Sequence, residues 1–361
     1  MRYRLLLVML ALLWAWAPAQ AAPLKLTIDA SAARAVLDAL DSTTLTADQA
    51  RAIARLPGNQ GLIRKSRSYG NPADDESFAA ALVAAAHGDD KAADPSGFNF
   101  AGVRRQSAVL RRVLAELEDR QTGLIEAAKR RIADYTPAGL DTPITGYLVV
   151  GGTSGGFAFG DPQFYLNLGY FPDARLATTI LEHELYHAIQ GAAASPARQA
   201  RVSKCLARAR IPAHLTDLFG SLAQEGTASA VGDVLALPKD GSGTVAEERR
   251  KFARNVGLVS RSVALLELSV HALATRAIDY DSVYALGFYG DEILYALGYV
   301  MAKAIEREQG PKAIAALLAD PTGAGFINRY RRLKAYGTTD DTPKLGRKTL
   351  AWAQRMAVCA R

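Results

Sequence analysis

The chain is expected to fold as an α+β protein that is mostly helical, with a small β-sheet placed just ahead of one chemically marked helix. Three observations predict this. Apolar residues recur at helical spacing along most of the sequence, β-rich runs are confined to one stretch near its middle, and strands do not alternate with helices as a doubly wound sheet requires. The sequence has 361 residues, 49% hydrophobic and 22% charged. Such a chain can bury a sizeable core, which excludes a disordered or coiled-coil protein as a whole.

The first residues read as an address. Met1 to Arg4 form a basic head, Leu5 to Ala17 an apolar run, and Pro18-Ala19-Gln20-Ala21 supplies the small-x-small pattern of a signal peptidase site. Cleavage after Ala21 or Ala22 is expected, giving a soluble exported protein, periplasmic or secreted. A transmembrane anchor needs ~20 apolar residues, and Pro18 with Gln20 interrupts this run too early. The formal charge is +7, including Arg2 and Arg4 of the leader, with both signs interleaved. The densest basic runs, Arg104-Arg105 with Arg111-Arg112 and Arg329 to Lys334, recur at helical spacing and read as solvated faces, so no nucleic-acid partner is expected.

Residues 23–140 form a helical N-terminal region in this reading, without catalytic signatures. Helices are expected over Ala32–Leu40 and Thr46–Ala54, the second stopped by Leu56-Pro57-Gly58, then over Glu76–Ala86 and Ser107–Ile132. From residue 141 to 361 a second unit follows. Ile144–Val150 and Phe164–Leu168 are its β-rich runs, separated by Gly151-Gly152-Thr153-Ser154-Gly155-Gly156 and Gly160-Asp161-Pro162. Leu176–Gln190 then reads as an amphipathic helix ended by Gly191. Helices return afterwards, with breaks at Pro238–Gly243, Asp279–Ser282, Asp320–Gly325 and Gly337–Lys344. Two cysteines, Cys205 and Cys359, either form one disulfide or remain two thiols.

The chemistry stands in the 176–190 helix as His183-Glu184-Leu185-Tyr186-His187. Two histidines at i and i+4 leave one helix face close enough to share a tetrahedral Zn²⁺, and the glutamate between them sits beside the open position. Glu184 then takes a proton from a water that the metal acidifies. The chain holds 5 histidines, so this coincidence of two with a glutamate is specific. A catalytic zinc takes three protein ligands, and no histidine follows His187 closely. Glu225, in Leu222–Ala230, is the first candidate for the third, with Asp217, Asp233 and His214 as alternatives. The small residues around Glu225 let its helix pack on the 176–190 helix, with Gly226 and Ala228 expected at the contact.

His-Glu-Leu-Tyr-His followed by Glu225-Gly226-Thr227-Ala228 resembles the gluzincin metallopeptidases and, more narrowly, zinc-dependent peptidases of uncharacterised bacterial families with HExxH and then E-G-x-A. The resemblance spans about residues 144–330. It implies a zincin-like domain over 141–361, one Zn²⁺ per chain held by His183, His187 and Glu225, Glu184 as general base, and a peptide or protein substrate. Better-known gluzincins place an Asp four residues after the ligand glutamate; here Ser229 stands there, and Asp233 is the expected substitute as support for a ligand histidine. In related peptidases an edge strand pairs with the substrate main chain, a role that order along the chain gives to Gln163–Leu168. Tyr295 and Tyr289, and also His214 and His271, are candidate donors to the oxyanion. His87 reads as a helix-end residue. A zincin-like domain that binds zinc or peptide without turnover is the non-enzymatic alternative. Gly152-x-Ser154-x-Gly156 offers a weaker one, a serine hydrolase using Ser154, although no helix is expected to follow it.

Overall fold

A strand not expected from the sequence, β1 (Leu26–Asp29), begins the sheet. The computed structural model describes residues 24–289 and 291–360; the leader expected over residues 1–22 lies outside them. The sheet has four strands in the order β1-β2-β4-β3, with β2 at Ile144–Val149, β3 at Gly156–Ala158 and β4 at Gln163–Asn167. β1 runs parallel to β2 with Leu26 opposite Ile144, and β2 parallel to β4 with Gly146 opposite Phe164. β3 pairs antiparallel to β4, Phe157 opposite Tyr165. The expected edge strand is therefore internal. The glycines before β3 let the chain double back, so that this short strand caps β4 and itself becomes the edge.

Side chains alternate across the sheet. Tyr147, Phe157 and Tyr165 face α1 (Ser31–Leu40) and α3 (Pro57–Ser68), forming a small cluster with Ala32 and Leu62. Gly61 of α3 lies flat against the Tyr165 ring, where any side chain would overlap it. The helix α3 was not expected. α2 (Ala47–Ala54) ends as predicted, but Pro57 then starts a new helix from its first turn, a position that needs no backbone N–H. α4 (Asp75–Ala86) matches expectation, and His87 is its C-cap. After α5 (Phe100–Arg105), the single helix expected over residues 107–132 is two, α6 (Ser107–Glu118) and α7 (Leu124–Ala133), broken where Gly123 adopts φ +61°.

The other face of the sheet packs on α8 (Ala174–Ala193), capped by Asp173 accepting from the Arg175 and Leu176 amides at 3.0 and 3.1 Å. Gly191 does not end α8. It allows a close approach instead, since a β-carbon there would lie 2.6 Å from the Gly160 carbonyl oxygen in the β3–β4 turn. The remaining helices are α9 (Pro196–Arg208), α10 (Ala213–Val231), α11 (Gly243–Gly257), α12 (Val259–Ala274), α13 (Tyr280–Gly287), α14 (Ile293–Gln309), α15 (Pro311–Ala315), α16 (Ala324–Tyr330) and α17 (Arg347–Ala357). Among the described residues no single helix is long and apolar enough to cross a membrane.

One contiguous core runs from Leu26 to Cys359. Its tightest crossing is that of α10 with α14, where Gly226 and Gly298 meet backbone to backbone: a β-carbon on Gly298 would fall 2.6 Å from the Gly226 Cα and from the Leu222 carbonyl oxygen. Cys205 and Cys359 form a disulfide with their Cα atoms 5.5 Å apart, tying the segment after α17 to α9 across a sequence separation of 154 residues. Closing so long a loop removes unfolded-state entropy worth roughly 5 kcal/mol in the chain-entropy treatment. Reduction of this bond, or Cys205→Ser, is expected to lower unfolding stability by up to that amount in a denaturant titration; an unchanged midpoint would show that the bond contributes nothing.

Candidate metal centre

α8 runs through the middle of the protein with Leu181, Leu185, Ala188 and Ile189 buried. The helical period turns the remaining face, His183, Glu184 and His187, toward a cavity of about 480 Å³. Opposite stands α10, which presents Glu225 from its interior. Glu225 Oε2 lies 3.1 Å from His187 Nε2 and 3.5 Å from His183 Nε2, and the two ring nitrogens are 3.0 Å apart. Donors on a tetrahedral zinc at ~2.0–2.1 Å sit about 3.3 Å from one another, so these separations match the edges of such a site. Two imidazole nitrogens and a carboxylate oxygen are also all electron-pair donors, a combination that needs a cation between them. The residues present fit Zn²⁺.

Of the alternative third ligands, none reaches the histidines. Asp217 pairs with His214 at 3.3 Å on the exposed first turn of α10. Asp233 accepts from the Tyr299 hydroxyl at 3.0 Å, lies 3.4 Å from the Lys303 ammonium and caps the turn at Leu235, so it is not the support for a ligand histidine either. Its residue is spent on joining α10 to α14. The helix contact also differs from expectation. Gly226 faces α14; it is Gly232, at the end of α10, that lies against α8, where a β-carbon would come 2.5 Å from the Thr179 carbonyl oxygen and 2.8 Å from His183 Cβ.

The support missing from position 229 comes from α8 itself. His187 Nδ1 is 2.7 Å from Gln190 Oε1, so the imidazole donates there and turns the lone pair of Nε2 toward the centre. The Gln190 amide nitrogen in turn donates to the Gln224 carbonyl at 3.0 Å and Thr227 Oγ1 at 3.1 Å, gripping α10 on both sides of Glu225. The spacing of Gln190, one turn beyond His187, was the only signal of this role in the sequence.

Glu184 is buried, and burial pushes its carboxyl above the usual range, opposed by His183 and His187. Strand β3 presses against it: a side chain on Gly156 would overlap the Glu184 carboxylate. The glycine-rich segment before β3 thus brings an edge strand up to Glu184. Ser154 Oγ donates to the Gly156 carbonyl at 3.1 Å, and a strand rather than a helix follows it, so the nucleophile-elbow reading has no structural footing. Tyr295, on the first turn of α14, stacks on His183 with ring centres 6.3 Å apart. Burial and then the charge of Glu225 hold its phenol well above its usual pKa, keeping it a proton donor. Tyr289 also borders the cavity but is 53% exposed, at its mouth. His214 and His271 lie outside the cavity lining.

A family model described as "Putative zinc dependent peptidase (DUF5700)" matches residues 51–336. The chain belongs to this family. The span matched to the putative zinc dependent peptidase model takes in α3, the sheet from β2 onward, and α8, α10 and α14, hence every element that borders the centre. No curated protein and no solved structure matches the chain.

Without metal, burial pushes His187 down but the Glu225 carboxylate outweighs it and raises the pKa to about 9. Because the folded value lies above the unfolded one, this pair stabilises the metal-free protein fully below about pH 6.5, and the contribution is lost as pH rises through about 9. Zinc requires neutral imidazole and displaces that proton. Apparent zinc affinity, measured by chelator competition, is therefore expected to rise about tenfold per pH unit from neutrality toward 9 and then level off; a flat profile would contradict the pairing. Gln190→Leu is expected to weaken zinc ~10–100-fold at constant pH without loss of helical circular dichroism.

Proposed function

We propose that the chain is an exported, gluzincin-type zinc metallopeptidase that hydrolyses peptide bonds. The observation that carries this reading is the set of three donors separated by 3.0, 3.1 and 3.5 Å, with Glu184 beside them and an open cavity in front. Family membership supports zinc dependence and a peptide substrate. Export is supported by the leader sequence and by a disulfide, which persists in oxidising compartments.

His183, His187 and Glu225 hold the ion, and Gln190 fixes the tautomer of His187. Zinc, when bound, acidifies a water in the cleft and polarises the scissile carbonyl. Glu184, buried and raised in pKa, takes the proton from the attacking water and delivers it to the departing amine nitrogen. Tyr295 donates its hydroxyl to the oxygen that becomes anionic, a role supported by its stack on His183. The extended substrate pairs with β3, whose outer edge is free and whose Gly156 and Ala158 border the cavity.

Glu184→Gln distinguishes turnover from mere binding. The variant is expected to retain one zinc per chain, by metal analysis, and to lose at least 10²-fold in peptidase activity. His183→Ala and His187→Ala should lose the metal as well, whereas His87→Ala should lose neither. Full activity in Glu184→Gln would remove the general-base assignment, and zinc binding without activity in the wild type would leave a binding protein.

A further inference from the structure

Outside the zinc ligands and the base, the cavity has a second concentration of polar groups. Lys65, on the last turns of α3, is the only lysine or arginine among the residues that line it. Its ammonium lies 4.9 Å from the centre of the Tyr69 ring and 5.6 Å from that of Phe157. Among the described residues no carboxylate is within ion-pair distance of it. Half-buried cations are ordinarily paired, and cation–π contacts hold this one in place without neutralising it. Around it the cavity is bordered by the hydroxyls of Tyr69, Ser154 and Tyr289, from the end-cap of α3, the loop before β3 and the segment between α13 and α14. All are donors. Of the two carboxylates of the cleft, Glu225 is paired with the histidines, and Glu184 feels the Lys65 charge without forming an ion pair with it.

We propose that Lys65, with the Tyr69 and Tyr289 hydroxyls, is a carboxylate-binding subsite, and that the substrate carries a carboxylate close to the bond cleaved. The inference rests on the peptidase reading. Distance along β3 sets the position: Gly156 abuts Glu184, and Phe157, its neighbour, lies beneath the Lys65 ammonium. At ~3.3 Å per residue of extended chain, a peptide paired with β3 brings the carboxylate within about two residues of the attacked carbonyl. That group is either the C-terminal α-carboxylate, which makes the enzyme act near chain ends, or an Asp or Glu side chain. The local field agrees with an anion there. Burial would raise the Tyr69 phenol, yet the Ser154 hydroxyl, the Lys65 charge and Tyr289 hold it below its usual pKa.

The test uses zinc-loaded full-length protein and two mixed libraries of N-acetylated hexapeptides, one ending in a free carboxylate and one in an amide, each prepared with and without Asp and Glu. Cleavage is followed by mass spectrometry, and binding by displacement from the Glu184→Gln protein. Wild type is expected to prefer carboxylate-bearing peptides by roughly tenfold in kcat/KM, through KM, and Lys65→Met is expected to erase this preference, with a larger loss on carboxylate-bearing peptides than on uncharged amides. Lys65→Arg should keep it. Preference for the free terminus over the amide assigns the α-carboxylate; preference for internal Asp or Glu assigns the side chain. Cleavage of all libraries without preference, or equal loss on every library in Lys65→Met, overturns the subsite and leaves the peptidase standing. Carboxylate-selective binding without cleavage, abolished in Lys65→Met, upholds the subsite and removes the peptidase. Neither binding preference nor cleavage removes both.

Discussion

A glutamate side chain is short, so Glu225 meets His183 and His187 only if α8 and α10 approach almost to backbone contact, and the rest of the centre depends on that approach. Gly232 permits it, lying where any side chain would collide with His183 and the Thr179 carbonyl. The same economy governs the next layer. Gly226 and Gly298 let α10 and α14 touch, which places Tyr295, one turn before Gly298, against His183 and near Glu225. Gly156 does the same for β3 against Glu184. Each functional group thus has a glycine within a turn or on the facing strand. A methyl at any of these would widen a helix or strand separation, and overpacking of this kind costs ~1–3 kcal/mol besides moving a reacting group.

The electrostatics follow from the same crowding. Three donors within 3.5 Å leave the metal-free centre with a choice between repulsion and protonation. Protonation of His187 wins because Glu225 is adjacent, and the cluster then carries an internal ion pair where zinc would sit. Gln190 suits this exchange. Its neutral carbonyl accepts from Nδ1–H whether Nε2 bears a proton or a metal, so the ring need not turn when one replaces the other. A carboxylate at that place would add a second negative charge beside Glu225 and favour the imidazolium further.

His183, Glu184 and His187 were legible because helical spacing alone fixes their mutual geometry. Glu225 was legible only through its small neighbours and the family resemblance, since its partner helix lies 38 residues away in sequence. What escaped notice depended on tertiary contact. Pro57-Gly58 reads as a stop, yet Pro57 also suits a first helical turn, and only packing of Gly61 on Tyr165 decides between them. β1 is four residues long, too short to signal itself, and exists because β2 offers a parallel edge. The identity of the edge strand was misread because order along the chain does not reveal that β3 folds back outside β4. Asp233 was a reasonable substitute for the missing Asp by spacing, but Tyr299 and Lys303 reach it first.

The unrecognised helix α3 changes what the N-terminal region contributes. Its helices carry no catalytic signature, yet α3 packs under the sheet and reaches round β3 with Lys65 and Tyr69, forming one lip of the cleft, while Tyr284, Phe288 and Tyr289 form the other. The proposed zinc ligands and base come from α8 and α10, and the groups that would border a substrate come from segments on either side of them in the chain. Chemistry and recognition are thereby separated. α8 and α10 are fixed by buried contacts that tolerate little change, whereas the lips, apart from the buried Phe288, are partly exposed, and substitution of Tyr69 or Tyr289 would alter the fit of a peptide without disturbing the core. On the proposed reading, a fold arranged in this way can keep one hydrolytic centre and vary its substrates through α3 and the segment between α13 and α14.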